Sequence, residues 1–227
     1  MTLQQDISGY IGRLFRETFG RGPKSVLVTF GQSLVAIYLN GFLSPLERIL
    51  LDERQEETIW STRDTLMQRL IPEIKANLAS LTNQSIEKIY YDWNLNNKSG
   101  ILIATAVQER AFGECEDLFH THPTFKENIL RLSKSTQKVP DWAAAYRLSP
   151  ELVVLHREGV IAPIERELIQ LGRAATVHLK AAKRHLEKRY LQSNVLFETL
   201  LNKSVQDIFV DWDFDNDQNW TVFKLKS

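Results

Sequence analysis

Residues 85–97 read SIEKIYYDWNLNN and residues 204–216 read SVQDIFVDWDFDN, thirteen positions with five identities and mostly like-for-like changes elsewhere. Upstream, GFLSPLER at 41–48 answers GVIAPIER at 159–166. The offset is 118 residues from Gly41 to Gly159 and 119 from Asp92 to Asp211, so one residue has been inserted between the two matches. Two motifs in one order at one spacing mark a tandem duplication, and whatever one half folds into the other must fold into as well. The expected division is 1–110 for the first repeat, 111–122 for a linker, and 123–227 for a second, diverged repeat.

The later motif carries Asp211, Asp213, Asp215 and Asp217 at every second position, which invites a calcium reading. An EF-hand loop needs Gly at its sixth position and Glu at its twelfth. Counting from Asp211 gives Asn216 and Val222, and counting from Asp213 gives Gln218 and Lys224. A strand explains the spacing better. Ile208, Val210, Trp212 and Phe214 fall on one face and the aspartates on the other, as Ile89, Tyr91, Trp93 and Leu95 oppose Asp92, Asn94 and Asn96. That alternation predicts an antiparallel strand with one wet face.

The remaining elements repeat in the same way. Ile7, Tyr10, Ile11, Leu14 and Phe19 have helical spacing. Two apolar strands follow near 25–30 and 34–39, joined by GQS. In SPLER, Ser44 is placed as N-cap, Pro45 as first helical residue and Glu47 as third, a capping box. The second copy has Ala162 at the cap and keeps Pro163 and Glu165. A long helix then carries Ile59, Leu66, Leu70, Ile74, Leu78 and Leu81 on one stripe, and Pro72 is expected to kink or split it. A strand hairpin closes the unit. The fold class is therefore α+β, used twice: helix, strand, strand, long helix, strand, strand, with helices covering an antiparallel sheet and the two repeats in a pseudo-twofold arrangement.

Residues 25–46 hold no charge and are long enough to span a bilayer, but GQS and NGFLSP break them into strands and turns. With 28 basic and 28 acidic residues the chain has no net charge, which removes the global signal for nucleic acid. The one cysteine, Cys115, excludes an intramolecular disulfide, and the polar N-terminus has no apolar signal region. The expected location is cytoplasmic.

Three places could carry chemistry. Cys115, His120 and His122 could bind a metal, but no fourth ligand is near in sequence, and Glu114 and Glu116 disfavour a thiolate, so no metal is assigned. The second long helix is basic, and Arg173, Lys180, Arg184 and Lys188 fall close to one face, a surface for an acidic partner or for the protein's own acidic strand. FGRGP at 19–23 is a turn with two glycines. No nucleophile elbow, phosphate loop or dinucleotide fingerprint occurs, and no cofactor is implied.

The stretch FGRGPKSVLVTFGQSLVAIYLNGFLSPLER, followed by a charged helix with Arg63 and a closing hairpin, resembles the MpsC family over residues 5–107. The resemblance rests on Gly20, Arg21, Gly22 and Pro23, on Glu47 and on Arg63. In the second repeat KVPDW replaces the glycine turn and Ala181 lies opposite Arg63 at the 118 offset. The resemblance implies a non-enzymatic accessory or regulatory protein linked to ion or bicarbonate transport, with a protein partner such as a membrane transporter, either monomeric as a pseudo-dimer or homodimeric. It offers no catalytic residues to carry over. A second expectation is an anion or small-ligand sensor built on Arg21, Gly22, Lys24 and Arg63.

Overall fold

The computed structural model describes residues 2–192 and 196–226, apart from the side chains of residues 173, 174 and 196. The chain divides into two compact units, 1–114 and 115–227. In unit 1 the elements are α1 (Leu3–Phe19), β1 (Ser25–Gly31), β2 (Leu34–Asn40), α2 (Pro45–Asp52), α3 (Glu56–Thr82), β3 (Ile86–Asn94) and β4 (Ser99–Ala106). Unit 2 opens with β5 (Glu116–Asp117) and α4 (Leu118–Thr121). It then repeats the plan as α5 (Pro123–Thr136), β6 (Trp142–Ser149), β7 (Leu152–Glu158), α6 (Pro163–Gln170), α7 (Arg173–Gln192), α8 (Leu196–Leu201), β8 (Val205–Asp213) and β9 (Gln218–Leu225).

Both sheets are antiparallel with one strand order, β1-β2-β4-β3 in unit 1 and β5-β6-β7-β9-β8 in unit 2, so the closing hairpin lies beside the second strand. One face of the first sheet, with Val35, Ile37, Leu39, Ile89, Tyr91, Trp93, Leu102 and Ala104, packs on Ile7, Ile11 and Phe15 of α1 and on Ile59, Met67, Ile74 and Leu78 of α3. The stretch 25–46 forms β1 and β2, and no helix among the described residues is long and apolar enough to cross a membrane.

The structure corrects several expectations. The strands alternate as predicted, but their second face is wet only toward its end. Asp92 is fully buried and Asp211 nearly so, beside buried Tyr90 and Phe209, whereas Asn94 and Asp213 are half-buried and Asn96 and Asp215 are exposed. The reason lies in the partner strand. Residues 101–106, ILIATA, do not alternate, and a strand apolar on both faces belongs to a sheet buried on both. Asp92 and Asp211 instead accept the N–H groups of Trp93 and Trp212, at 2.8 and 2.9 Å.

Helix α3 is not split at Pro72 but continues to Thr82. The proline removes one ladder bond, while Leu70 and Ile74 on either side hold the helix to the core. Its inward stripe is Ile59, Arg63, Met67, Leu70, Ile74 and Leu78. Leu66 is half-buried and Leu81 is exposed, so neither belongs to the core. Residues 111–122, expected as a linker, contain β5, which pairs with β6, and the short helix α4.

Candidate functional site

Glu47 does two jobs at the start of α2. Ser44 N–H donates to its Oε2 at 2.7 Å while Glu47 N–H donates to Ser44 Oγ at 3.3 Å, which completes the predicted capping box. The same carboxylate receives Arg63 from α3: Nη2 donates to Oε2 at 2.9 Å and Nε lies 2.6 Å from Oε1. The guanidinium sits over the rings of Phe42, Phe19 and Trp93, with Arg63 Cζ 4.0, 4.4 and 4.7 Å from their centroids. Arg63 has no exposed surface. Burial pushes its pKa below the ordinary arginine value, and Glu47 acts in the opposite direction. An arginine tolerates such a place because its planar cation is weakly hydrated and stacks on aromatic faces.

The turn before β1 serves the same assembly. A Cβ on Gly22 would stand 2.8 Å from the Gly12 carbonyl oxygen, so this glycine lets the turn lie against α1. Lys24 donates its N–H to the Asn40 carbonyl at 2.7 Å and lays its aliphatic stem over Gly41. Arg21 is half-buried and Lys24 exposed. Of the four residues expected around an anion, Arg21, Gly22 and Lys24 thus share the turn. Arg63 meets Phe19, one residue before that turn, and aims its charge at Glu47.

Unit 2 rebuilds this cluster with a different cation. Glu165 Oε2 accepts the N–H of Ala162 at 2.9 Å, the half of the capping box that survives without a hydroxyl. Lys183 Nζ lies 2.6 Å from Glu165 Oε1 and 3.9 Å from the ring centroid of Trp212. Lys183, not Ala181, therefore stands in the place of Arg63. Two more residues separate this pair than its counterpart, since Glu47 and Arg63 are 16 apart while Glu165 and Lys183 are 18 apart. Two residues rotate a helix by more than half a turn, which brings Lys183 inward and leaves Ala181 exposed. Burial lowers the Lys183 pKa, against the pull of Glu165 and Glu187.

Beside this pair lies a second buried network that the sequence reading missed. Arg157 on β7 is fully buried and pairs with Glu187 of α7. It also donates to Ser133 Oγ at 3.0 Å, to Asn219 Oδ1 and to Thr221 Oγ1 at 3.2 Å. Thr221 in turn donates to Glu187 at 3.0 Å. The corresponding residues of unit 1 are Leu39, Met67, Phe15, Gly100 and Leu102, all apolar. The signal was present in the repeat: LVVLHRE carries an arginine at the inward position that leucine holds in LVAIYLN.

The basic stripe of α7 turns largely onto its own strand. Lys180 lies 2.6 Å from Asp211, and Arg184 donates to the Val210 carbonyl at 3.0 Å and reaches Asp211 at 3.3 Å. Lys188 stands 5.9 Å from the Phe209 ring, and the side chain of Arg173 lies outside the described residues. In the region of Cys115, His120 pairs with Asp117 at 2.8 Å, and His122 pairs with Glu116 at 2.9 Å, a carboxylate also held by Arg147. The His122 hydrogen bond is the largest influence holding the Glu116 carboxyl below its usual range.

In both units, then, a helix-capping glutamate, a buried cation from the long helix and the tryptophan of the DW strand meet at one point. The arrangement can pin two helices to a sheet and fix its register. No curated protein matches the chain, and no solved structure does. The family described as "Na+-translocating membrane potential-generating system (MpsC)" matches twice, over residues 1–108 and 126–227. Those two matches cover both repeats with their Glu–cation–Trp clusters, and the chain belongs to the MpsC family.

Proposed function

We propose that this protein is a non-enzymatic cytosolic accessory or regulatory component of an ion-transport system, acting through protein contact. The observation that carries the reading is the double family match, whose description names a sodium-translocating, membrane-potential-generating system. The buried chemistry is consistent with it. Glu47 with Arg63, Glu165 with Lys183, and Glu187 with Arg157 satisfy one another inside the fold, as groups that hold a scaffold do. This favours an accessory role over a ligand-sensing one, because Arg63 is enclosed by Glu47 and three rings.

Affinity co-purification from gently solubilised cells of the native organism, with mass spectrometry of what co-elutes, tests the proposal. Recovery of an integral membrane ion transporter, together with a changed sodium-dependent membrane potential in a deletion strain, is the expected result. Protein that elutes without a membrane partner, from cells whose deletion strain keeps a normal potential, overturns it. In that case a thermal-shift screen with phosphate, nucleotides and bicarbonate on wild type and Arg63→Ala becomes the next step.

A further inference from the structure

Unit 2 carries an addition to the repeated plan. Among the described residues the first sheet has four strands and the second five, the extra one being β5 on the outer edge of β6. β5 and α4 lie between the two stretches that the family covers, and together they form a strap over that edge. Leu118 and Phe119 anchor α4 in the core. The β5–β6 ladder is only two pairs long, Glu116 with Arg147 and Asp117 with Tyr146. A strand this short is marginal by itself, so its side chains decide how firmly it stays.

The two carboxylates of β5 are used in one pattern. Asp117 Oδ1 accepts the N–H groups of Phe119 and Ala145, both at 3.0 Å, which caps α4 and ties the strap to β6. Its Oδ2 faces His120 Nδ1 at 2.8 Å. Glu116 Oε2 accepts Arg147 Nε at 3.1 Å, and its Oε1 faces His122 Nε2 at 2.9 Å. Each carboxylate thus gives one oxygen to β6 and the other to a histidine. His122 also joins α4 to α5: its N–H donates to the Leu118 carbonyl, and its own carbonyl accepts the N–H of Lys126, both at 3.1 Å. The two histidine side chains are 56% and 55% exposed, so solvent protons reach them. The other charges facing the strap are Arg147 of β6 and Lys126 of α5, the latter 5.3 Å from the Phe119 ring centroid. Upstream, Glu114 is taken up by Arg110.

A carboxylate and a protonated imidazole form a charge-assisted hydrogen bond, about twice as strong as the neutral bond that remains when the ring loses its proton. Histidine makes that change between about pH 5 and 8. The Glu116 carboxyl, held below its usual range first of all by His122, stays ionised throughout. Only the histidine side of each pair titrates there.

We propose that the β5–α4 strap is a pH-sensitive latch: charged His120 and His122 hold it shut on β6, and their deprotonation loosens it and bares the β6 edge. Rising pH is the opening direction, because both pairs are strongest with the rings protonated. A bared edge presents unpaired N–H and C=O groups that another strand can join. The latch does not depend on the transport role proposed above.

Hydrogen exchange read by mass spectrometry between pH 6 and pH 8.5, on peptides covering 115–122 and 142–149, tests it once rates are corrected for the intrinsic pH dependence of exchange. Loss of charge from two exposed pairs should raise the opening equilibrium about three- to tenfold. His120→Gln with His122→Gln puts a neutral donor in place of each ring and should show the looser, alkaline level at both pH values. Peptides from the β7–β9 ladder should be equally protected at both pH values in both proteins. Strap exchange in wild type that is flat with pH overturns the proposal. A double variant that keeps the wild-type pH dependence also overturns it. Equal loosening of the β7–β9 peptides does so as well, since the whole unit would then be opening.

Discussion

Arg157 occupies in unit 2 the place that Leu39 holds in unit 1: each faces the core from the second strand, and each is paired in register with the closing hairpin, Arg157 with Asn219 and Leu39 with Gly100. One family fold thus closes its core in two ways, with apolar packing in one repeat and with a buried ion pair in the other. Breaking such a pair leaves an uncompensated charge, at a cost of about 3–5 kcal/mol, whereas replacing both partners with apolar groups can be neutral or stabilising. Arg157→Leu and Glu187→Met, which install the residues of unit 1, should each destabilise unit 2 by about that amount. The double variant should recover most of the loss. Urea denaturation through a double-mutant cycle measures the coupling; additive losses would show that the two side chains do not interact.

The cation at the capping glutamate offers a different comparison, because the family fold accepts either arginine or lysine there. Arg63→Lys should cost less than half of what Arg63→Met costs. The methionine leaves Glu47 buried without its partner, a loss of about 3–5 kcal/mol, while a lysine keeps the charge and can lie on Trp93 as Lys183 lies on Trp212. Equal denaturation midpoints for the two variants would mean that the carboxylate has no need of a cation.

Much of this fold was legible because the chain states it twice. The period-two run ending in DW, the Ser44 cap and the order of elements all stand in local sequence, and their recurrence removed most alternative readings. What was not legible depended on neighbours. Asp92 and Asp211 look solvated on their own strands, and only the unbroken apolar run of β4 betrays a second buried face. Arg63 sits on the apolar stripe of α3 but reads as surface charge until Glu47 and three rings surround it. Lys183 was hidden by a two-residue insertion that changes helical phase while leaving the helix recognisable.

Gly100 tests whether Trp93 needs its exact resting place on the sheet. A Cβ at this position would come within 2.4 Å of Trp93 Cε3. Gly100→Ala must therefore push the indole off the strand, and with it one wall of the Arg63 enclosure. Overpacking of this kind costs about 1–3 kcal/mol, and the tryptophan emission of unit 1 should shift. In unit 2 the same register position carries Asn219, so Asn219→Ala meets no such contact; its effect should come from the lost bond to Arg157. Wild-type stability in Gly100→Ala would show that Trp93 can move freely.

His156 makes the pH behaviour of unit 2 predictable. Its ring stacks on Trp220, 3.9 Å between centroids at 9°, and meets Trp142 edge-on at 5.2 Å. Burial, and then the neighbouring Arg157 charge, lower its pKa from 6.5 to about 3. The unfolded chain takes up a proton below about 6.5 that the folded chain refuses until about 3, so the unfolded state binds more protons across that interval. Stability is complete above pH 6.5 and falls as the solution is acidified toward 3, by about 1.4 kcal/mol per pH unit from this residue. Tyr38 holds the equivalent place in unit 1. His156→Tyr keeps an aromatic ring between the tryptophans and removes the titration. Urea midpoints measured at pH 7.5, 6 and 5 should therefore fall less steeply in His156→Tyr than in wild type. Parallel slopes in the two proteins would mean that His156 accepts its proton while folded.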